Sequence, residues 1–151
     1  MTEPAVLRLY RKLGSWLFAR AICFKAPYFA TIAPRFRALE PGRCVATLRH
    51  RRRVSNHLGT VHAIALCNLA ELTAGLVTEA SLPTSMRWIP KGMNVEYLKK
   101  AVGSMCAEAT PEQPAVAADA GYELPVRVVV TDSAGDTVMR ARIAMWVSPR
   151  R

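Results

Sequence analysis

Acidic residues are scarce in this chain. Eleven Asp and Glu stand against 21 Lys and Arg, giving a net charge of +10 at neutral pH. Such a surplus attracts polyanions: nucleic acid, anionic lipid, or a small substrate bearing several phosphates. Histidine is scarcer still. His50, His57 and His62 are all there is, too few for a dedicated zinc site, and no metal is expected. The four cysteines, Cys23, Cys44, Cys67 and Cys106, lack any CxxC or metal spacing. They read as small buried hydrophobes in a reducing compartment rather than a disulfide framework. No run is long and apolar enough to read as a membrane span. The most apolar N-terminal stretch, Trp16 to Phe24, is short and interrupted by Arg20. The same arginine, with no clean cleavage site after it, argues against a signal peptide, and a cytoplasmic protein is expected.

What is present suits one globular domain, expected to occupy 1–151. Apolar residues make up 51% and charged residues 21%, which excludes wholesale disorder. Residues from Ala5 to Phe24 show helical spacing, with Val6, Leu9, Leu13, Trp16, Leu17 and Ile22 on one broad face. Arg8, Arg11, Lys12 and Arg20 lie elsewhere. This basic amphipathic N-terminal helix, within 1–25, suits a membrane surface, but packing on the domain's own core is the favoured reading. Ile32 to Glu40 and Arg43 to Arg53 read as a hairpin joined by Pro41-Gly42. The cluster Arg49 to Arg53 ends the second strand.

Val61 to Ala80 reads as the central helix, within 61–80, apolar nearly all round and therefore buried. Thr60 or Gly59 is expected near its N-cap. Strand-like runs follow at Met86 to Leu98, Val102 to Ala109, Glu123 to Thr131 and Val138 to Val147. They are read as a four-strand meander, with Asp132 to Asp136 as its last hairpin turn. The order is α+β: an antiparallel sheet wrapped around a long central helix, with an extra N-terminal helix. A helix hydrophobic on nearly every face needs more cover than one sheet supplies, so a homodimer is expected.

The segment from Asn56 to Glu71 carries the chemistry. A polar loop runs into the apolar helix, which then holds an acid, Glu71, where an inert core helix would carry Leu. A buried carboxylate is costly unless it is paired or used. The spacing resembles the hotdog-fold thioesterases, especially the branch of the phenylacetate-pathway thioesterase. In that motif an Asn precedes a His-Gly-Gly by six residues and an acid follows the His by nine. Here Asn56 precedes His62 by six, and Glu71 follows by nine. Asn-His-Leu-Gly-Thr (56–60) and Ala-Pro-Tyr-Phe (26–29) resemble more closely still a little-characterised branch of the same superfamily. Two departures stand out. Ala63-Ile64 replaces Gly-Gly, and Glu71 is one methylene longer than the branch's Asp.

The resemblance implies a hotdog fold and hydrolysis of acyl-CoA thioesters, with coenzyme A as part of the substrate and no other cofactor. Glu71 would be general base or nucleophile. Asn56 would position the water or the carbonyl, and His62 would shape the loop or cap the helix. The backbone N–H of Ala63 would hold the thioester oxygen, helped by those of His62 and Ile64. Gly59, Ile64 and Asn68 would border the substrate. Asn56 as a plain turn residue and Asn68 as a packing partner are the ordinary alternatives. Arg51, Arg52, Arg53, Lys99 and Lys100 are candidates for the phosphates of CoA, chosen by charge density. Met86, Trp88, Met93, Met105, Met139 and Trp146 would be core or acyl-tunnel lining.

Helix geometry adds a constraint. Nine residues span about 13.5 Å and end about half a turn out of phase, so one chain cannot bring its own Glu71 to its own helix N-terminus. Each site would be shared between two subunits of a dimer, or of a tetramer built as a dimer of dimers. The thiol carrier is CoA or an acyl carrier protein. The main rival is a hotdog protein that binds acyl-CoA or lipid without hydrolysis, as sensor or carrier. A nucleic-acid or membrane-surface protein is disfavoured because aromatic interleaving is missing. A hotdog dehydratase is disfavoured because His62 has no Asp partner in the motif.

Overall fold

A computed structural model describes residues 2–150. Helix α1 spans Ala5–Lys25 but is broken at Gly14, whose φ of 71° and ψ of 169° are not helical. Only glycine adopts that conformation cheaply. Leu7, Phe18 and Ala19 are buried, and Phe18 stacks edge-on against both Tyr10 and Phe36. A 3-10 helix at Pro27–Ile32 follows, so the first strand, β1, is Arg35–Glu40 rather than starting at Ile32. Pro27 at the first position favours that turn by fixing φ.

Strand β2, Arg43–Leu48, ends five residues before the expectation. Arg49 to Arg53 are not strand; Arg52–Val54 form a single 3-10 turn. Five basic groups in register would repel one another, and the chain leaves the sheet before them.

Helix α2 is Ala63–Ser81. By length and mean hydropathy, 1.3, it could cross a bilayer; instead most of it is buried against the sheet. Its N-cap is His62, not Thr60 or Gly59. Strands β3 (Met86–Tyr97), β4 (Met105–Pro111), β5 (Tyr122–Thr131) and β6 (Thr137–Pro149) complete one antiparallel sheet. Its order is β1-β2-β4-β5-β6-β3. The expected four-strand meander is therefore three strands long: β3 pairs with β6 at the far edge and does not touch β4.

The helix-facing side of the sheet follows the period of two. Met105, Ala107 and Ala109 of β4, Leu124, Val126, Val128 and Val130 of β5, and Met139, Ala141, Ile143, Met145 and Val147 of β6 are all buried. The alanines of β4 leave room for α2 to approach. Met86, Met105 and Met139 belong to this core, whereas Trp146 points outward beneath Lys91, whose ammonium lies 4.9 Å from the ring centre. Pro90 and Gly92 flank a bulge in the register of β3 with β6. An edge strand tolerates Pro90 because its missing N–H breaks no ladder bond on the open side.

Candidate active site

The loop before α2 is closed on itself by one side chain. Asn56 Oδ1 accepts from the backbone N–H of Leu58 (3.0 Å) and of Thr60 (3.1 Å), and Asn56 Nδ2 donates to Thr60 Oγ1 at 2.8 Å. The two backbones also pair, Asn56 N–H to Thr60 C=O at 2.9 Å. Gly59 sits inside this turn at a φ of 75°, where a Cβ would be strained. Both ends of the Asn56 amide are therefore engaged by its own loop.

The loop delivers His62 to the start of α2. The N–H of His62 donates to Val54 C=O at 2.7 Å. Its Nδ1 accepts from the N–H of Ile64 at 3.0 Å, and its C=O accepts from Ala65 and Leu66. Nδ1 as acceptor requires the proton on Nε2 in the neutral ring. Of the three N–H groups that the sequence offered for a developing oxyanion, two are therefore occupied. The N–H of Ala63 has no partner among the described residues. No acid lies in the first turn, so the positive end of the helix dipole is uncompensated there.

A hollow of about 220 Å³ opens at this helix end. His62, Ile64, Ala65 and Asn68 line it from α2, Arg53 and Ser55 from the preceding turn, and Tyr28 and Thr31 from the 3-10 helix. Asn68 is only 7% exposed. Its Nδ2 donates to Thr31 Oγ1 at 3.1 Å, while its Oδ1 is buried with no partner. An orphaned buried acceptor is costly and asks for a donor from outside the chain. Tyr28 and Thr31 escaped the sequence reading as lining residues. The one signal for them was the Ala-Pro-Tyr-Phe word, whose Pro27 starts the turn that carries both.

Glu71 is elsewhere. It is exposed on the single chain, so the cost-of-burial argument does not hold for the lone protomer. Along α2 only Ile64 and Glu71, seven positions apart on one side of the helix, are exposed. Glu71 borders a second hollow of about 260 Å³, with Pro90, Lys91, Gly92 and Met93 of β3 and Ile143 of β6. The structure thus groups His62, Ile64, Asn68 and Arg53 around one hollow, with Ala63 in the same helix turn but not in the lining, and leaves Glu71 at another. Between them on the same helix, Cys67 Sγ lies 3.2 Å from Tyr97 Oη. That hydrogen bond, with burial, raises the pKa of the phenol.

Arg51 and Arg52 are exposed beside Arg53, with no carboxylate partner among the described residues. Lys99 is committed to Asp132 (2.9 Å) and Asp136 (2.6 Å), closing the last hairpin turn. Among the described residues no three His, Cys, Asp or Glu side chains converge as a metal would require.

The family model for DUF4442, a domain of unknown function, matches residues 14–147. A structural-genomics target, APC5556, is 46% identical, with a TM-score of 0.84 over 96% of this chain and 97% of that one. Thioesterase HI1161 from Haemophilus influenzae is similar in structure, with a TM-score of 0.71 and 16% identity over 81% of this chain and 82% of that one. Thioesterase SAV0944 from Staphylococcus aureus gives 0.71 and 16% over 81% and 98%. At such identity the likeness is one of fold. No match is found among curated proteins. A sheet curled around one buried helix, shared with these thioesterases, is the hotdog fold, and the chain belongs to the DUF4442 family.

Proposed function

We propose that this protein hydrolyses acyl-CoA thioesters, at sites each built from two chains. The observation that carries the reading is the unpartnered Ala63 N–H at the positive end of α2, in a helix turn whose His62, Ile64 and Ala65 line a hollow that also holds the orphaned Asn68 Oδ1. A donor so placed suits a carbonyl oxygen that gains negative charge. Glu71 would take a proton from water as that water attacks the thioester carbon, or attack the carbon itself. The carbon–sulfur bond then breaks and the thiol leaves with a proton; the acid is released at once if water attacked, or, if Glu71 attacked, after water hydrolyses the mixed anhydride and restores the carboxylate. Asn56 would act by holding the loop, since its amide is already engaged.

Glu71 borders a different hollow from the one lined by His62 and Ile64, the neighbours of Ala63. Each hollow falls short of the roughly 300 Å³ at which small-molecule sites begin. A second copy laid along the open edge of β3 would cover the exposed stripe of α2 and bring its Glu71 toward this chain's helix end, giving a homodimer or a dimer of dimers. The S. aureus thioesterase has been solved with a glutamine and, separately, a glutamate replaced, fifteen positions apart; Asn56 and Glu71 are also fifteen apart. Arg51, Arg52 and Arg53 at the rim fit the phosphates of CoA, or of the prosthetic arm of an acyl carrier protein. The free, scattered cysteines fit a reducing, cytoplasmic setting.

A second reading, binding of acyl-CoA or lipid without hydrolysis, is favoured by Ile64. Its side chain stands where the related motif has glycine, 54% exposed at the hollow, and its N–H is held by His62. Free-thiol release from short, medium, long and aromatic acyl-CoAs separates the two. Hydrolysis by the wild type that drops about a hundredfold in Glu71→Gln is expected. Binding with no turnover in either protein would establish the carrier reading instead, and turnover indifferent to Glu71→Gln would remove Glu71 from the site.

A further inference from the structure

The second half of α1 has two opposed faces. At about 100° per residue, Trp16, Arg20, Phe24 and Leu17 fall within an arc of about 100°, while Phe18 and Ile22 lie on the other side. Phe18 is buried and Ile22 packs on the core. The first group covers nothing: Trp16 is 70% exposed, Phe24 90%, and Leu17 is exposed as well. Tyr28, four residues past Phe24 and on the rim of the first hollow, is 67% exposed. A cluster of large apolar side chains left in water on one helical stripe marks a surface made for contact.

The charges say with what. Helix α1 carries Arg8, Arg11, Lys12, Arg20 and Lys25 and not one acid. Among the described residues only Arg11 has a carboxylate partner, Glu3. Arg20 folds back over the Trp16 ring, 5.4 Å from its centre, placing a guanidinium at the border of the apolar stripe. A second copy would bring the same cations, on a chain of net charge +10, against themselves. Leu17 and Phe24 give a nucleic acid little to hydrogen-bond, and Arg20 closes one face of Trp16 to base stacking. Anionic headgroups above an acyl layer match both halves of the pattern. Trp and Tyr suit the headgroup level, Leu and Phe the layer beneath, and Arg and Lys the phosphates.

We propose that this face of α1 seats the protein on anionic lipid bilayers, with Trp16, Leu17 and Phe24 inserted and Arg20 against lipid phosphates. The proposal stands apart from the hydrolytic reading, since it needs neither Glu71 nor Ala63.

Co-sedimentation with phosphatidylcholine vesicles, with and without phosphatidylglycerol, tests it on wild type and on the Trp16→Ser/Phe24→Ser pair, which keeps every charge. The wild type should partition onto the anionic vesicles and the double variant about tenfold less or weaker still. Raising salt to about 0.5 M should weaken the wild type. Absence of wild-type binding, or equal binding by the double variant, would overturn the proposal. So would a fall in assembly mass in the double variant by light scattering, which would assign the face to a second copy, or loss of binding to an RNA oligomer rather than to vesicles. Should the pair fail to fold, quenching of tryptophan fluorescence by brominated lipid gives a separate reading. Quenching in the wild type that disappears in Trp16→Phe supports insertion, and unquenched wild type refutes it.

Discussion

Ala63 contributes no side-chain chemistry, and its value to the site rests on one backbone N–H at the first position of α2. That position tolerates proline, and His62 before it already has the extended backbone that proline demands, with φ −63° and ψ 136°. Ala63→Pro therefore deletes the donor while sparing the helix. A fall of about a hundredfold or more in thioester turnover is expected, with the unfolding transition and circular dichroism close to wild type. Turnover that survives would place the oxyanion elsewhere. The motif spacing singled out Asn56, His62 and Glu71 from residue types alone. It did not show that the Asn56 amide closes its own loop, or that His62 takes up the N–H of Ile64. Those facts depend on rotamers, which a linear spacing does not encode.

Between residues and fold lies the 56–62 loop. Four hydrogen bonds to the Asn56 side chain, two of them from backbone N–H groups, hold it, and the N–H of Val61 ties its end to Ala101 C=O at 2.7 Å. Asn56→Ala leaves two backbone donors of that turn without their acceptor. A loss of about 1–3 kcal/mol in unfolding free energy is expected by chemical denaturation, together with looser presentation of His62. Asn56→Asp retains the acceptor and should recover much of it. Helices were the most legible elements. The apolar period of α2 fixed its place within two residues at each end, whereas the break at Gly14 is invisible in the periodicity of α1. Strands were legible as strands, yet not by neighbour. β3 sits beside β6 through pairing across some fifty positions of sequence, and local alternation carries no record of which partner a strand will find.

For the molecule as a whole, the separation of Ala63, at the N-terminus of α2, from Glu71, at a second hollow, yields a mixing test. In a dimer formed from one Glu71→Gln chain and one Ala63→Pro chain, a shared site arises twice: once with both defects and once with none. Random reassociation of the two inactive proteins should restore about a quarter of wild-type activity if sites span two chains. No recovery after verified subunit exchange would mean that each chain works alone. The basic surplus was legible from composition, but its distribution was not: Lys99 is tied to Asp132 and Asp136 at the surface, while Arg51 and Arg52 have no carboxylate partner among the described residues.

The two rims of the sheet differ in kind. β1 is six residues long, bulged between Phe36 and Ala38, studded with Arg35, Arg37 and Glu40, and overlain by α1. β3 is twice that length and open along its outer side, and although it too is bulged, at Pro90 and Gly92, it leaves a run from Met93 to Tyr97 beyond the bulge. Short, bulged, charged borders resist adding a strand, whereas long ones invite it. In the language of polymer chemistry the chain is a monofunctional monomer. Any strand pairing along β3 would consume its reactive end, so strand addition would stop at two chains, and a larger assembly would have to join such pairs through other faces.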